Sequence, residues 1–271
     1  MKALRQRALL DQLYACYNRR DYVRPDPVET LYPWPDVRDR EIVGLIAAGL
    51  AFGGVGQILK SIDAVIHIFE GRPRASLEAA SRRDLMRLLR GFRHRWVDER
   101  DMTNFLWAVR ATVREHGSLE TALSTDDTDE QDVLPALVKW VERIRKCGRL
   151  DRNPLLPDPS GASACKRLHL YLRWMVRKDA IDPGGWTRVA PAQLIIPLDT
   201  HMHRIAREMR LTRRKQADLK TAREITRKFK RLCPHDPVRY DFVLTRFGIR
   251  KLDHREDFAR RFRCAMVHPS S

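Results

Sequence analysis

Apolar residues recur three or four positions apart through most of the chain and almost nowhere in strict alternation. Residues 1–17 place Leu4, Leu9, Leu10, Leu13, Tyr14 and Tyr17 at helical spacing. Pro25, Pro27, Pro33 and Pro35 then predict an irregular, extended arm over 18–35. Helix resumes over 36–52, where the small apolar run from Gly44 to Phe52 invites close packing, and Gly53, Gly54 and Gly56 end it. With no preceding strand and no GK[ST], that glycine cluster reads as a tight helix–helix turn rather than a phosphate loop. A helix starts at Gln57, and 61–70, 76–90 and 101–115 read as further helices. Gly117 is a stop and Ser118 a capped restart. Residues 124–131, with Asp126, Asp127, Asp129 and Glu130, read as an exposed acidic loop, and 132–146 as a helix carrying Trp140.

Residues 163–207 hold two amphipathic helices around a Pro/Gly connection. Ala164, Leu168, Leu172 and Met175 set the first, and the second begins at Asp199, after the run Leu194 to Leu198. Residues 211–231 form a strongly basic helix whose apolar side is Ala217, Leu219, Ala222, Ile225 and Phe229. A helix over 236–247 and an arginine-rich final segment (Arg255, Arg260, Arg261, Arg263) with a short tail complete the chain. The pattern as a whole predicts an all-α fold.

Composition narrows the setting. The 271 residues suffice for one large or two small domains, and 43 % are hydrophobic, as in soluble globular proteins. Lys and Arg total 52 against 35 Asp and Glu, a net charge of +17 that favours a polyanionic partner; the alternative is a generally basic surface. The five cysteines lie far apart with no CxxC pair, so spacing reveals neither a zinc nor an iron–sulfur motif, and neither metal nor other cofactor is expected. Scattered thiols and no signal peptide point to a reducing cytoplasm. The longest apolar run, Ile42 to Val55, is too short to span a bilayer. His201 and His203 diverge on a helix and make a poor metal pair.

Two residues carry candidate chemistry. Lys166 falls in the first turn of its helix, where exposed amides and the helix dipole disfavour a positive charge. Partly shielded from water, such an amine becomes a nucleophile. Asp199, 33 positions later, stands where an N-cap is expected, so a helix, a loop and a return bring amine and carboxylate to one end. Taken singly, Lys166 reads as a solvated lysine and Asp199 as a plain cap; the pair in this sequence is more specific.

The motif Leu198-Asp199-Thr200-His201-Met202-His203-Arg204 resembles the VDTHV-x-R-like motif of the helix-hairpin-helix DNA glycosylases (HhH-GPD superfamily). The long lysine-to-aspartate interval is similar to that of the archaeal 8-oxoguanine glycosylase branch. Where that superfamily's hairpin usually reads LPGVG-x-K, this chain keeps Leu156, Pro157 and Gly161, lacks the second glycine and places its lysine later. Over most of its length the chain also resembles domain-of-unknown-function family 2400, in segments 41–57, 117–119, 163–182, 191–207 and 236–248. The glycosylase resemblance implies two helical lobes with a DNA-binding cleft between them: residues 36–147 as a central lobe, and 1–35 with 148–271 as a second, the first helix packing back on the C-terminal part.

The same resemblance implies a monomeric enzyme that excises a damaged base, 8-oxoguanine favoured. Lys166 would form a Schiff base with abasic-site lyase activity, and Asp199 would stabilise the developing sugar cation. Gln57 is then a candidate to probe the duplex. Gly161 and Ser163 of the hairpin, together with Arg167, His201, Arg204, Arg213, Arg214 and Lys215, are candidates for DNA contact. Arg93, His94 and Arg95 belong to the segment Phe92–Trp96, whose mixed aromatics and cations suit stacking and phosphate binding, or else a packed loop with solvated arginines. His169, Trp174 and Trp186 are candidates for a base pocket, or ordinary core. Two rivals stand beside this reading: a non-catalytic nucleic-acid-binding protein on the same fold, and a monofunctional glycosylase in which Asp199 activates water.

Overall fold

The computed structural model describes residues 2–123, 132–249 and 255–264; the acidic stretch 124–131 and the short tail fall outside them. The described residues are almost entirely helical. The helices are α1 (Lys2–Tyr17), α2 (Val37–Gly49), α3 (Val55–His67), α4 (Pro73–Ala79), α5 (Arg82–Leu88), α6 (Glu99–His116), α7 (Leu119–Ala122), α8 (Leu134–Gly148), α9 (Lys166–Val176), α10 (Thr200–Glu208), α11 (Leu219–Leu232), α12 (Asp241–Ile249) and α13 (Arg255–Cys264). A two-residue hairpin, β1 (Arg93–His94) against β2 (Val97–Asp98), is the one sheet among the described residues.

The small apolar run does what its composition predicts. From Glu41 to Gly49 every residue of α2 is buried, and α2 lies against α9. A Cβ on Gly44 would sit 3.3 Å from the Tyr171 ring and 3.4 Å from the Met175 sulfur, so a larger residue would push α9 away. Gly117 closes α6 in the left-handed region at φ 81°, where a Cβ is strained, and Ser118 caps α7. The two ends of the chain meet: α1 packs on α11 and α12, with the Tyr14 hydroxyl donating to Asp179 at 2.8 Å and that of Tyr240 to Asp11 at 2.7 Å.

Several boundaries differ from the periodicity. The proline arm is folded: it forms 3-10 turns at Arg20–Tyr22 and Pro27–Leu31, and Val28 and Leu31 are fully buried. Proline removes donors there without forbidding turns whose side chains join the core. Nothing interrupts the chain between Gln57 and His67, so α3 is one helix. Residues 76–90 divide at Ser81, whose capping box with Asp84 starts α5 afresh. The basic helix begins only at Asp218, which accepts from the Thr221 amide at 2.8 Å. No described helix is long and apolar enough to cross a membrane.

Candidate active site

The backbone turns sharply before α9. Cys165 adopts φ 40°, ψ 42°, and the approaching strand is clamped by a bridge from Ser163 to Asp218 and by the Leu219 amide on the Ala162 carbonyl at 2.9 Å. Lys166 is the first helical residue, and Leu170, Arg173 and Trp174 share its face at helical spacing. Asp199 caps α10 from the other side. Its Oδ1 accepts from the Met202 amide at 2.8 Å, which fixes the carboxylate and leaves Oδ2 facing the Lys166 Nζ at 3.0 Å. The two side chains remain 35 % and 22 % exposed, so the pair is reachable from solvent. Burial pushes the Asp199 carboxyl up, but the Lys166 ammonium and the Met202 N–H outweigh it and hold the group below the usual carboxylate range. Asp199 is therefore an anion at neutral pH.

Both residues line a cavity of about 420 Å³, a size suited to a small organic ligand. Leu170, Trp174, Pro197, Phe242, Val55 and Ile58 supply apolar wall. Deeper lie Arg173 and Asp241, 3 % and 2 % exposed. The Arg173 guanidinium is shared between Asp182, at 3.2 Å, and Asp241. Behind them Arg177 holds Asp179 and Asp236, each at 2.9 Å, and Asp182. Four carboxylates thus surround two guanidiniums. Burial raises the Asp241 carboxyl to about 6, opposed by Arg173 and reinforced by the nearby Asp199 anion. Among the described residues neither Asp241 Oδ1 nor Trp174 Nε1 has a hydrogen-bond partner, although both are buried. Both atoms are sealed from solvent, so each carries the cost of a hydrogen bond left unmade beside the cavity.

Other candidates fall into place around this cavity. His201 lines it, whereas His203 turns away and hydrogen-bonds the Arg214 carbonyl at 3.0 Å. Gln57 is exposed on α3, between the cavity residues Val55 and Ile58, with its amide on Ser61 at 3.2 Å. Arg93 and Arg95 are exposed on the β1–β2 hairpin. Next to them Trp96 is 61 % exposed, stacks on Phe52 with centroids 4.8 Å apart, and lies under the Arg95 guanidinium at 5.1 Å. Arg204 and Arg213 line a second, open depression with Arg207 and Arg210, and Lys215 is exposed.

Some assignments are corrected. His94 is fully buried between the Ser61 hydroxyl (2.9 Å) and the Phe52 carbonyl (3.0 Å), so it holds the hairpin down and touches no external ligand. Trp186 is core: its indole N–H donates to Glu41 at 3.1 Å and its ring meets Tyr171 edge-on. His169 is also core, pushed down to about 4 by burial and outside the cavity lining. Of the expected pocket aromatics, Trp174 alone lines the cavity. The Arg167 guanidinium donates to the Gly49 and Pro154 carbonyls, tying α9 to α2. Arg214 pairs with Asp218 at 2.7 Å but keeps its side chain 37 % exposed, so its candidacy stands.

The segment before Lys166 is no compact helix–hairpin–helix either. Between α8 and α9 runs an irregular connection in which Asp158 accepts from the Ser160 amide at 2.9 Å and pairs with Arg145 at 3.1 Å. Hydrogen bonds from Ser160, then Arg145, hold the Asp158 carboxyl at about 2. An anion there disfavours a phosphate grip at the exposed Gly161 and Ser163.

Arg173 and Asp241 were invisible as site residues because each sits within an apolar helical pattern. The weak signal was a charged residue seven positions after Lys166 on its own helical face, where solvent exposure was not expected. A family model described as Protein of unknown function (DUF2400) matches residues 26–250, in line with the whole-chain resemblance. No curated protein and no solved structure matches the chain.

Proposed function

We propose, for a chain that belongs to this DUF2400 family, that it is a DNA base-excision enzyme using Lys166 and Asp199. The carrying observation is the 3.0 Å amine–carboxylate pair at a ligand-sized cavity in a protein of net charge +17. The glycosidic carbon of a stacked nucleotide is out of reach, so the substrate base is extruded into the cavity. Lys166, once its proton has left to solvent, attacks C1′ as the neutral amine while Asp199 stays ionised. The C1′–N bond forms as the glycosidic bond breaks, and the base leaves with the bonding electrons. Asp199, fixed by the Met202 amide, stabilises the positive charge that develops on the sugar. Ring opening gives a Schiff base from which elimination cleaves the strand. The likeness to the archaeal glycosylase branch favours 8-oxoguanine.

Covalent trapping tests the proposal. Borohydride with 8-oxoguanine or abasic-site duplex should yield a protein–DNA adduct that Lys166→Gln abolishes. A lesion panel that gives no adduct with the unaltered protein removes the lyase. Base release that survives Lys166→Gln, with trapping never seen, transfers the chemistry to water activated by Asp199.

A further inference from the structure

Away from the cavity, the ends of α6 and α8 bring together three side chains of metal-ligating type. A Cβ on Gly148 would lie 2.3 Å from the Ala108 Cβ, so only glycine lets α8 approach α6 this closely. That approach carries Cys147 to the last turn of α6. Its sulfur is 3.2 Å from Glu115 Oε2 and 3.9 Å from His116 Nε2, and Glu115 Oε1 is 3.7 Å from that same nitrogen. Zinc bonds of about 2.3 Å to sulfur and 2.0–2.2 Å to nitrogen and oxygen give tetrahedral edges of roughly 3.3–3.6 Å. Taking one ligand atom from each residue, the three lie within 4.8 Å of one another, so side-chain rotation has to draw them in to close on an ion.

We propose that Glu115, His116 and Cys147 form a zinc site that staples α6 to α8, with its fourth position open to solvent. The donor set is one soft thiolate, one borderline imidazole and one hard carboxylate, a mixture that zinc accepts. Zinc binding displaces the Cys147 thiol proton to solvent, and the Glu115 carboxylate, which otherwise accepts from that thiol at 3.2 Å, becomes a ligand. No residue of the site lines the Lys166 cavity, so this inference stands apart from the excision reading.

The test is cobalt titration of the chelator-treated full-length protein, followed by zinc displacement. One equivalent of cobalt should produce a near-ultraviolet thiolate charge-transfer band, and one equivalent of zinc should erase it and raise the melting temperature. Cys147→Ser should lose the band. Glu115→Gln, a change at an exposed side chain that leaves folding intact, should weaken zinc binding at least tenfold. No saturable band, or a band that persists in Cys147→Ser because other cysteines bind the ion, overturns the site.

Discussion

Asp199→Asn separates chemistry from scaffold, because the two carboxylate oxygens do different work. Oδ1 caps α10 at 2.8 Å, and asparagine caps nearly as well as aspartate. Oδ2 faces Lys166 at 3.0 Å. At an effective dielectric of 20 the bare attraction there is about 5–6 kcal/mol. Desolvation and the partial exposure of both side chains reduce its net worth for folding to about 1 kcal/mol. The melting temperature should therefore fall by about 2–4 °C. Asp199→Ala also removes the cap and should cost about 1 kcal/mol more. In the proposed excision the missing charge matters where positive charge develops, and removing one such preorganised group should lower the rate by about 10²–10³-fold. The assay is single-turnover borohydride trapping beside thermal melts of the same preparations. An Asn variant that traps within threefold of the unaltered protein, or that loses more than about 3 kcal/mol of stability, refutes the division of labour.

Trp96→Ala removes an exposed ring that rests on Phe52 and under Arg95. It should weaken binding to unpaired or lesion DNA by about 1–3 kcal/mol and leave the melting temperature nearly unchanged; equal affinity in fluorescence anisotropy rules out stacking. Asp241 titrates at about 6 in the fold, above its unfolded value. A raised acid favours the fold below its unfolded pKa and loses that advantage as pH climbs, so stability should drop by up to about 3 kcal/mol between pH 4 and 6. Asp241→Asn should erase that pH dependence in denaturant melts, and an identical profile in both proteins contradicts it.

Local chemistry set much of the outcome. The 3.6-residue rhythm of apolar positions made the chain all-α, because only helix turns such a pattern into a continuous buried face. Capping preferences located the starts of α7 and α10, since Ser118 and Asp199 satisfy amides within three residues of themselves. Lys166 and Asp199 were legible as a pair through two helix starts a loop apart. Tertiary packing decided what depends on contacts distant in the chain. It folded the proline arm into the core through Val28 and Leu31 and sealed His94, His169 and Trp186 away from the cavity. It also set Arg173 against Asp241, 68 residues apart, and Cys147 beside His116, 31 residues apart. Periodicity fixes which face of a helix is buried but not what that face meets. Pairings of charge, thiol and imidazole across helices are selected by the cost of leaving each group unpaired in the assembled interior.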